Sequence, residues 1–156
     1  KWTLLNYGDS KIFQDAHNNP PGTSYTTRYT ENIKFPDVAY KLQEKIIKTL
    51  NFTEYKLRYG HGIINTVNYP GCIVWEHKDG LVVPNHVSYH CNIVTKKPEG
   101  GETVIEGIEY DLEENDLICY AVDRLSHKVN LITGTKLRIM WIFGFHIPET
   151  EFYFDK

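Results

Sequence analysis

Between residues 37 and 50 apolar positions recur at helical spacing. Val38, Leu42, Ile46 and Leu50 follow one another at four-residue intervals and form a single stripe. Lys41, Lys45 and Lys48 fall largely on the opposite side. Pro36 and Asp37 open the segment. Proline suits a first turn that needs no N–H, and an acidic side chain offsets the positive end of the helix dipole. The pattern predicts an amphipathic helix over 37–50, with its apolar stripe on a sheet and its basic face in solvent.

After Thr53 the period shortens to that of strands. Tyr55–Tyr59, Ile63–Tyr69, Cys72–His77, a strand within Val82–Val94 starting near His86, Thr103–Ile108, Leu117–Val122 and Lys136–Phe145 all read as extended, with Phe152–Phe154 as a final edge. Gly60-His61-Gly62, Pro70-Gly71 and Glu99-Gly100-Gly101-Glu102 are turn signals. Ahead of the helix, Trp2–Tyr7 is strand-like and Asn18–Gly22 is a loop. Thr23–Thr30, with Tyr25, Arg28 and Tyr29, reads as a surface loop, a substrate-covering lid or a short edge strand. Many short strands and one helix argue for a sandwich or barrel-like β domain.

Composition narrows this picture. A chain of 156 residues is expected to form one domain, 1–156, with a core that needs no staples. Eleven Tyr, seven Phe and three Trp suit a β interior filled by side chains. A net charge of -3 gives no general drive toward nucleic acid or an anionic membrane. The three cysteines, Cys72, Cys91 and Cys119, are odd in number and include no CxxC pair. They are expected to be small apolar fillers in a reducing compartment. No run is long enough to span a membrane and no signal-peptide pattern opens the chain, so a cytoplasmic location is expected.

The chemistry concentrates in Trp75-Glu76-His77-Lys78-Asp79-Gly80. Alternate strand residues share a face, so His77 and Asp79 can converge on one point, with Trp75 walling it and Lys78 turned away. An imidazole and a carboxylate are two-thirds of a 2-His-1-carboxylate iron site. The same pair alone reads more readily as a surface turn. Of seven histidines, His127 has the most suggestive setting, fifty residues on and after the apolar strand 117–122. His86 and His90 share a strand face but have no evident third ligand, which favours packing or surface roles. His61 and His146 read as structural or exposed. Arg138 interrupts an otherwise apolar strand. A buried guanidinium is costly without an anion, and its fork matches a carboxylate. Alternation puts Arg138, Met140 and Ile142 on one face and Ile139, Trp141 and Phe143 on the other, toward the helix.

His77-x-Asp79, then His127, then Arg138 eleven residues later resembles the Fe(II)/2-oxoglutarate-dependent dioxygenase superfamily, and within it the prolyl 4-hydroxylase-like group. Tyr69-Pro70-Gly71 resembles that group's tyrosine-bearing strand and turn, and Glu99-Gly100-Gly101-Glu102-Thr103 its glycine hairpin. The resemblance implies a double-stranded β-helix (jelly roll), mainly β, with a supporting N-terminal helix. It implies Fe(II) held by His77, Asp79 and His127, and the distal carboxylate of 2-oxoglutarate held by Arg138, with Tyr69 as a second contact. It further implies dioxygen as co-substrate, succinate as product and ascorbate as a supporting reductant. A polar contact from the 86–94 strand is common in the family, but its register in Tyr89-His90-Cys91-Asn92 is open.

The implied activity is hydroxylation of a prolyl or other side chain of a peptide or protein. AlkB-type nucleic-acid demethylases share the triad but carry a second arginine six residues after the first, where this chain has Gly144. Small-molecule hydroxylation is a further enzyme reading. The non-enzymatic rival is a catalytically inactive jelly-roll module that binds a metal or carboxylate ligand. No membrane partner is implied.

Overall fold

A computed structural model describes residues 25–27, 35–58, 60–80 and 83–151. The expected segments Trp2–Tyr7, Asn18–Gly22 and Phe152–Phe154, together with Arg28 and Tyr29 of the expected lid, lie outside these residues.

The elements run β1 (Tyr25–Thr27), α1 (Asp37–Thr49), β2 (Lys56–Leu57), β3 (Ile63–Asn68), β4 (Val74–His77), β5 (His86–Lys96), β6 (Glu99–Gly100), β7 (Thr103–Ile105), β8 (Ile108–Tyr110), β9 (Leu117–Ala121), β10 (His127–Val129), β11 (Ile132–Thr133) and β12 (Arg138–Pro148). A 3-10 turn, Glu149–Glu151, follows. The larger sheet has the order β1-β3-β12-β5-β9, with β2 also paired to β12. The smaller sheet is β4-β10-β7-β8, and β6 pairs β11. All these pairings are antiparallel. This is a mainly β jelly roll with one helix.

β12 sits between β3 and β5. That central place explains why its sequence is apolar along nearly its whole length. One face of β12 carries Trp141, Phe143, Phe145 and Ile147 into a core shared with Phe35, Ala39 and Ile46. The other face carries Arg138 and buried Met140 toward the smaller sheet. Ile105 of β7 closes that second interior against Tyr120 and Val122. The division of faces expected from alternation is therefore present, with the helix over the Trp141 side.

The helix stripe is rotated from its expected position. Ala39, Gln43 and Ile46 are buried, whereas Val38 is 51% exposed. Gln43 belongs to the buried line because its Nε2 donates to the carbonyl of His61 at 2.9 Å. Gly62 makes room for it: a Cβ there would come within 2.6 Å of that nitrogen. A polar residue thus occupies a core position that apolar counting overlooks. The helix ends as expected of an amphipathic segment, with Leu50 N–H donating to Ile46 O and Asn51 at φ 54, a left-handed stop that asparagine tolerates.

Gly100 and Gly101 also differ from their expected role. They do not turn the chain but run in a ladder, with Gly100 paired to Ile132 and Gly101 N–H donating to Leu131 O. Both have positive φ, and a Cβ at Gly100 would meet the Leu131 carbonyl at 2.5 Å. The glycines therefore permit close backbone approach along a bent strand that continues into β7. The reversal itself falls at Glu106-Gly107, between β7 and β8.

Candidate active site

β4 and β10 are neighbours in the smaller sheet, and His127 stands directly opposite His77. Directly opposed residues share a face, which brings two side chains fifty positions apart together, with ring centroids 4.3 Å from each other. Asp79 follows the end of β4. Its N–H donates to Val122 O at 2.8 Å, and this bond turns the carboxylate back toward both rings. Asp79 Oδ1 lies 3.5 Å from His77 Nε2 and 3.8 Å from His127 Nε2. Nδ1 of His77 lies 2.7 Å from Trp75 O, and Nδ1 of His127 lies 3.1 Å from Leu125 O. A carbonyl only accepts, so each Nδ1 carries the proton and each Nε2 presents a lone pair in the neutral ring.

The sequence-predicted trio therefore forms a set of three acceptor atoms within 4.8 Å of one another. Two neutral imidazole nitrogens and one carboxylate oxygen suit a divalent first-row cation. In each ring the outer nitrogen is already engaged by a main-chain carbonyl, the arrangement that fixes tautomer and orientation in metal sites. Protonation competes with such an ion. The hydrogen bond to Asp79 raises the His77 pKa against the opposing effect of burial. Burial lowers that of His127. Burial would push the Asp79 carboxyl up, but His77 and the charges of His90, Arg58 and His127 carry it well below the usual carboxylate range.

Arg138 opens β12 and is 6% exposed. Its Nη1 donates to Asn68 Oδ1 at 3.3 Å and its Nη2 to Thr103 Oγ1 at 2.9 Å. Both partners are neutral, and no carboxylate among the described residues bonds or ion-pairs with it. Burial pushes its pKa down to about 10, against the opposing effect of Tyr120 and Glu102. A buried cation held only by neutral acceptors is a ready seat for an anion. Thr103 is two residues from Ile105, roughly 7 Å along the strand, and Ile105 faces His127 in the ladder. The guanidinium and the imidazole thus meet β7 two residues apart. Between them lie Tyr120, whose ring meets His127 edge-on at 5.2 Å, and Asn92, whose Nδ2 donates to the Tyr120 hydroxyl at 3.4 Å. Asn92 Oδ1 is buried and has no hydrogen-bond partner among the described residues. The donor set fits iron(II), and a buried guanidinium with only neutral acceptors fits the free carboxylate of 2-oxoglutarate.

Three solved structures share this fold. The viral collagen prolyl hydroxylase of Paramecium Bursaria Chlorella virus-1, in its 2OG complex, superposes with a TM-score of 0.65 at 16% identity, over 89% of this chain and 89% of that one. A 2OG-Fe(II) oxygenase family oxidoreductase of Burkholderia pseudomallei gives 0.58 at 12% identity, over 89% and 79%. A prolyl-4-hydroxylase of Pseudomonas putida gives 0.53 at 14%, over 88% and 81%. The fold is that of the prolyl 4-hydroxylase-like 2-oxoglutarate oxygenases. No family model and no curated protein matches the sequence itself.

Within this fold one expected contribution is absent and others are added. Trp75 does not wall the trio, since it is 53% exposed and serves through its carbonyl. Tyr69 is 40% exposed, one residue past β3, and the side chain of that strand that reaches Arg138 is Asn68. The open register of the 86–94 strand resolves with His90 and Asn92 facing inward. Arg58 was not anticipated: its Nη1 donates to Asp79 Oδ2 at 3.1 Å and lies 2.8 Å from His90 Nε2. A lone arginine in the mixed segment Tyr55-Lys56-Leu57-Arg58 gives no sequence cue to burial. His86 stays apart, its Nδ1 2.8 Å from Pro84 O.

His146, on the same inner face, is buried with Nδ1 3.2 Å from Ser88 Oγ. Burial first, then the charges of Arg58, His86 and Lys56, push its pKa from 6.5 down to about 4, with Asp123 opposing. The unfolded chain therefore takes up this proton at higher pH than the folded one. The neutral ring supports the fold fully above pH 6.5, and that support drains as pH falls toward about 4. His146→Gln is expected to flatten the acid limb of a Tm-against-pH curve across that interval. Parallel curves for the two proteins would contradict this assignment.

No helix among the described residues is long and apolar enough to cross a membrane. The three cysteines are free thiols, with Cys72 and Cys91 buried as filler.

Proposed function

We propose that residues 1–156 form an Fe(II)- and 2-oxoglutarate-dependent oxygenase that hydroxylates a prolyl or other side chain of a peptide or protein. One observation carries the reading: His77, Asp79 and His127 converge as three metal-type acceptors in the same fold as a buried arginine that no carboxylate among the described residues engages. His77, Asp79 and His127 would hold the iron and leave positions for further ligands. When bound, iron and 2-oxoglutarate supply the oxidation, one atom of dioxygen entering succinate as the ketoacid loses carbon dioxide and the other entering the substrate C–H bond.

The chain's own residues supply position and dryness. Arg138, backed by Asn68 and Thr103, would grip the distal carboxylate and fix the length of acceptable ketoacid. Buried Met140, Ile105 and Val122 keep the interior apolar, which strengthens the polar contacts made there. Asp79 offsets part of the ion's charge. The three similar structures support a peptide as substrate, since two of them are prolyl hydroxylases.

The deciding experiment supplies Fe(II), 2-oxoglutarate and oxygen and follows succinate. Mass spectrometry then screens prolyl peptides, methylated oligonucleotides and free amino acids. Succinate formation with one added oxygen on a peptide is the expected result. Oxygen on a nucleic acid or a free amino acid moves the assignment to those substrates. Metal binding without succinate under any condition makes the chain a binding module.

A further inference from the structure

Arg58 is a buried cation set directly behind Asp79. It follows β2, and its main chain is tied on both sides: its N–H donates to Gly144 O at 3.0 Å, and its carbonyl accepts from Gly62 N–H at 2.6 Å. The side chain is 6% exposed. A guanidinium has donors only, so His90 Nε2, 2.8 Å from Nη1, must accept, and the His90 proton sits on Nδ1. The same Nη1 meets Asp79 Oδ2 at 3.1 Å. The two oxygens of Asp79 are thereby divided. Oδ2 faces Arg58, and Oδ1 faces His77 and His127 at 3.5 and 3.8 Å.

We infer that Arg58 is a positioning residue that engages Asp79 Oδ2, so that the carboxylate meets a metal ion through Oδ1 alone. The inference rests on the metal-centre reading above. A carboxylate free to swing can offer both oxygens to an ion and occupy two of its positions. An oxygen already committed to a buried guanidinium does not compete for the ion. With one oxygen from Asp79 and one nitrogen from each histidine, the ion keeps room for a two-toothed ketoacid and for dioxygen. His90 holds the guanidinium from the other side and so sets its height against Oδ2.

A simpler role would be charge balance, with Arg58 merely offsetting a buried Asp79. The two roles part once a divalent ion is bound, because the ion then offsets Asp79 by itself. Charge balance predicts that loss of Arg58 leaves the loaded centre unchanged. Positioning predicts an altered coordination sphere and weaker ketoacid binding.

The test uses Co(II), whose d–d absorption reports coordination number without turnover. Co(II) is titrated into wild type, Arg58→Met and Arg58→Gln, followed by 2-oxoglutarate under nitrogen. In wild type the Co(II) spectrum is expected to change on adding 2-oxoglutarate. In the Met variant the spectrum before addition should already differ from wild type, and 2-oxoglutarate affinity should fall by about 10-fold or more, the usual scale for residues behind a ligand. The Gln variant keeps a donor without charge and should move in the same direction. It decides the matter if the Met variant does not fold. Superimposable Co(II) spectra and equal 2-oxoglutarate affinities in wild type and a folded variant overturn the inference alone. Failure of wild type to bind Co(II) overturns the metal-centre reading and this inference with it.

Discussion

Replacing His77 or Asp79 with alanine is expected to reduce 2-oxoglutarate-dependent succinate formation to background. Each substitution removes one of three converging acceptor atoms, and the two that remain do not make a facial site for iron(II). The variants should differ in a second respect. His77 is half-buried and its loss leaves no unpaired charge. Asp79 pairs with the buried Arg58 guanidinium, and its removal breaks that pair, which for buried pairs costs about 3–5 kcal/mol. The Asp79→Ala protein should therefore melt earlier, whereas His77→Ala should melt close to wild type in the absence of metal. Succinate assays with isothermal titration of Mn(II) check both statements. A folded His77→Ala protein that makes succinate at the wild-type rate would remove the basis of the metal assignment.

Arg138→Ala should raise the 2-oxoglutarate concentration needed for half-maximal turnover by roughly 10²-fold, from the loss of about 3 kcal/mol of charge-assisted hydrogen bonding. Turnover at saturating cosubstrate should suffer less, because on the proposed reading the reacting end of the ketoacid would lie with the histidines. Arg138→Lys should recover only part of the affinity, since an ammonium is a point charge without the fork that meets Asn68 and Thr103 as well as an incoming carboxylate. Succinate formation against 2-oxoglutarate concentration gives KM and kcat separately. An unchanged KM in Arg138→Ala would place the cosubstrate's carboxylate elsewhere.

How much of this was legible in the sequence depends on whether a residue announces itself by alternation. His77, Asp79, His127 and Arg138 do, because each is a polar side chain on or beside an apolar strand, and the antiparallel pairing of β4 with β10 brings the first and third together. The faces of β12 follow from the same two-residue period. The rest failed for identifiable reasons. Asn68 went unread beside Tyr69, because one position along a strand exchanges the faces and the β3 side chain bonded to Arg138 is that of Asn68. Gln43 lies in the helix core through a contact with a carbonyl 18 residues away in sequence, which no helical period encodes. Arg58 sits next to a two-residue strand, too short to show any pattern, and its partners arrive from β5 and the segment after β4. Gly100 and Gly101 carried a true backbone requirement, positive φ, but one that serves a ladder and not a reversal.

The place of β12 has a consequence for how the chain is made. It is central in the larger sheet, yet it follows every other described strand in the sequence. As the polypeptide leaves the ribosome, β3 and β5 emerge first with their shared neighbour still to come. Until residues 138–148 arrive, both expose unpaired main-chain edges beside apolar side chains, the combination that templates aggregation. Arg138 is the first residue of that strand to appear, so the arginine proposed to grip the cosubstrate and the keystone of the sheet enter the fold together.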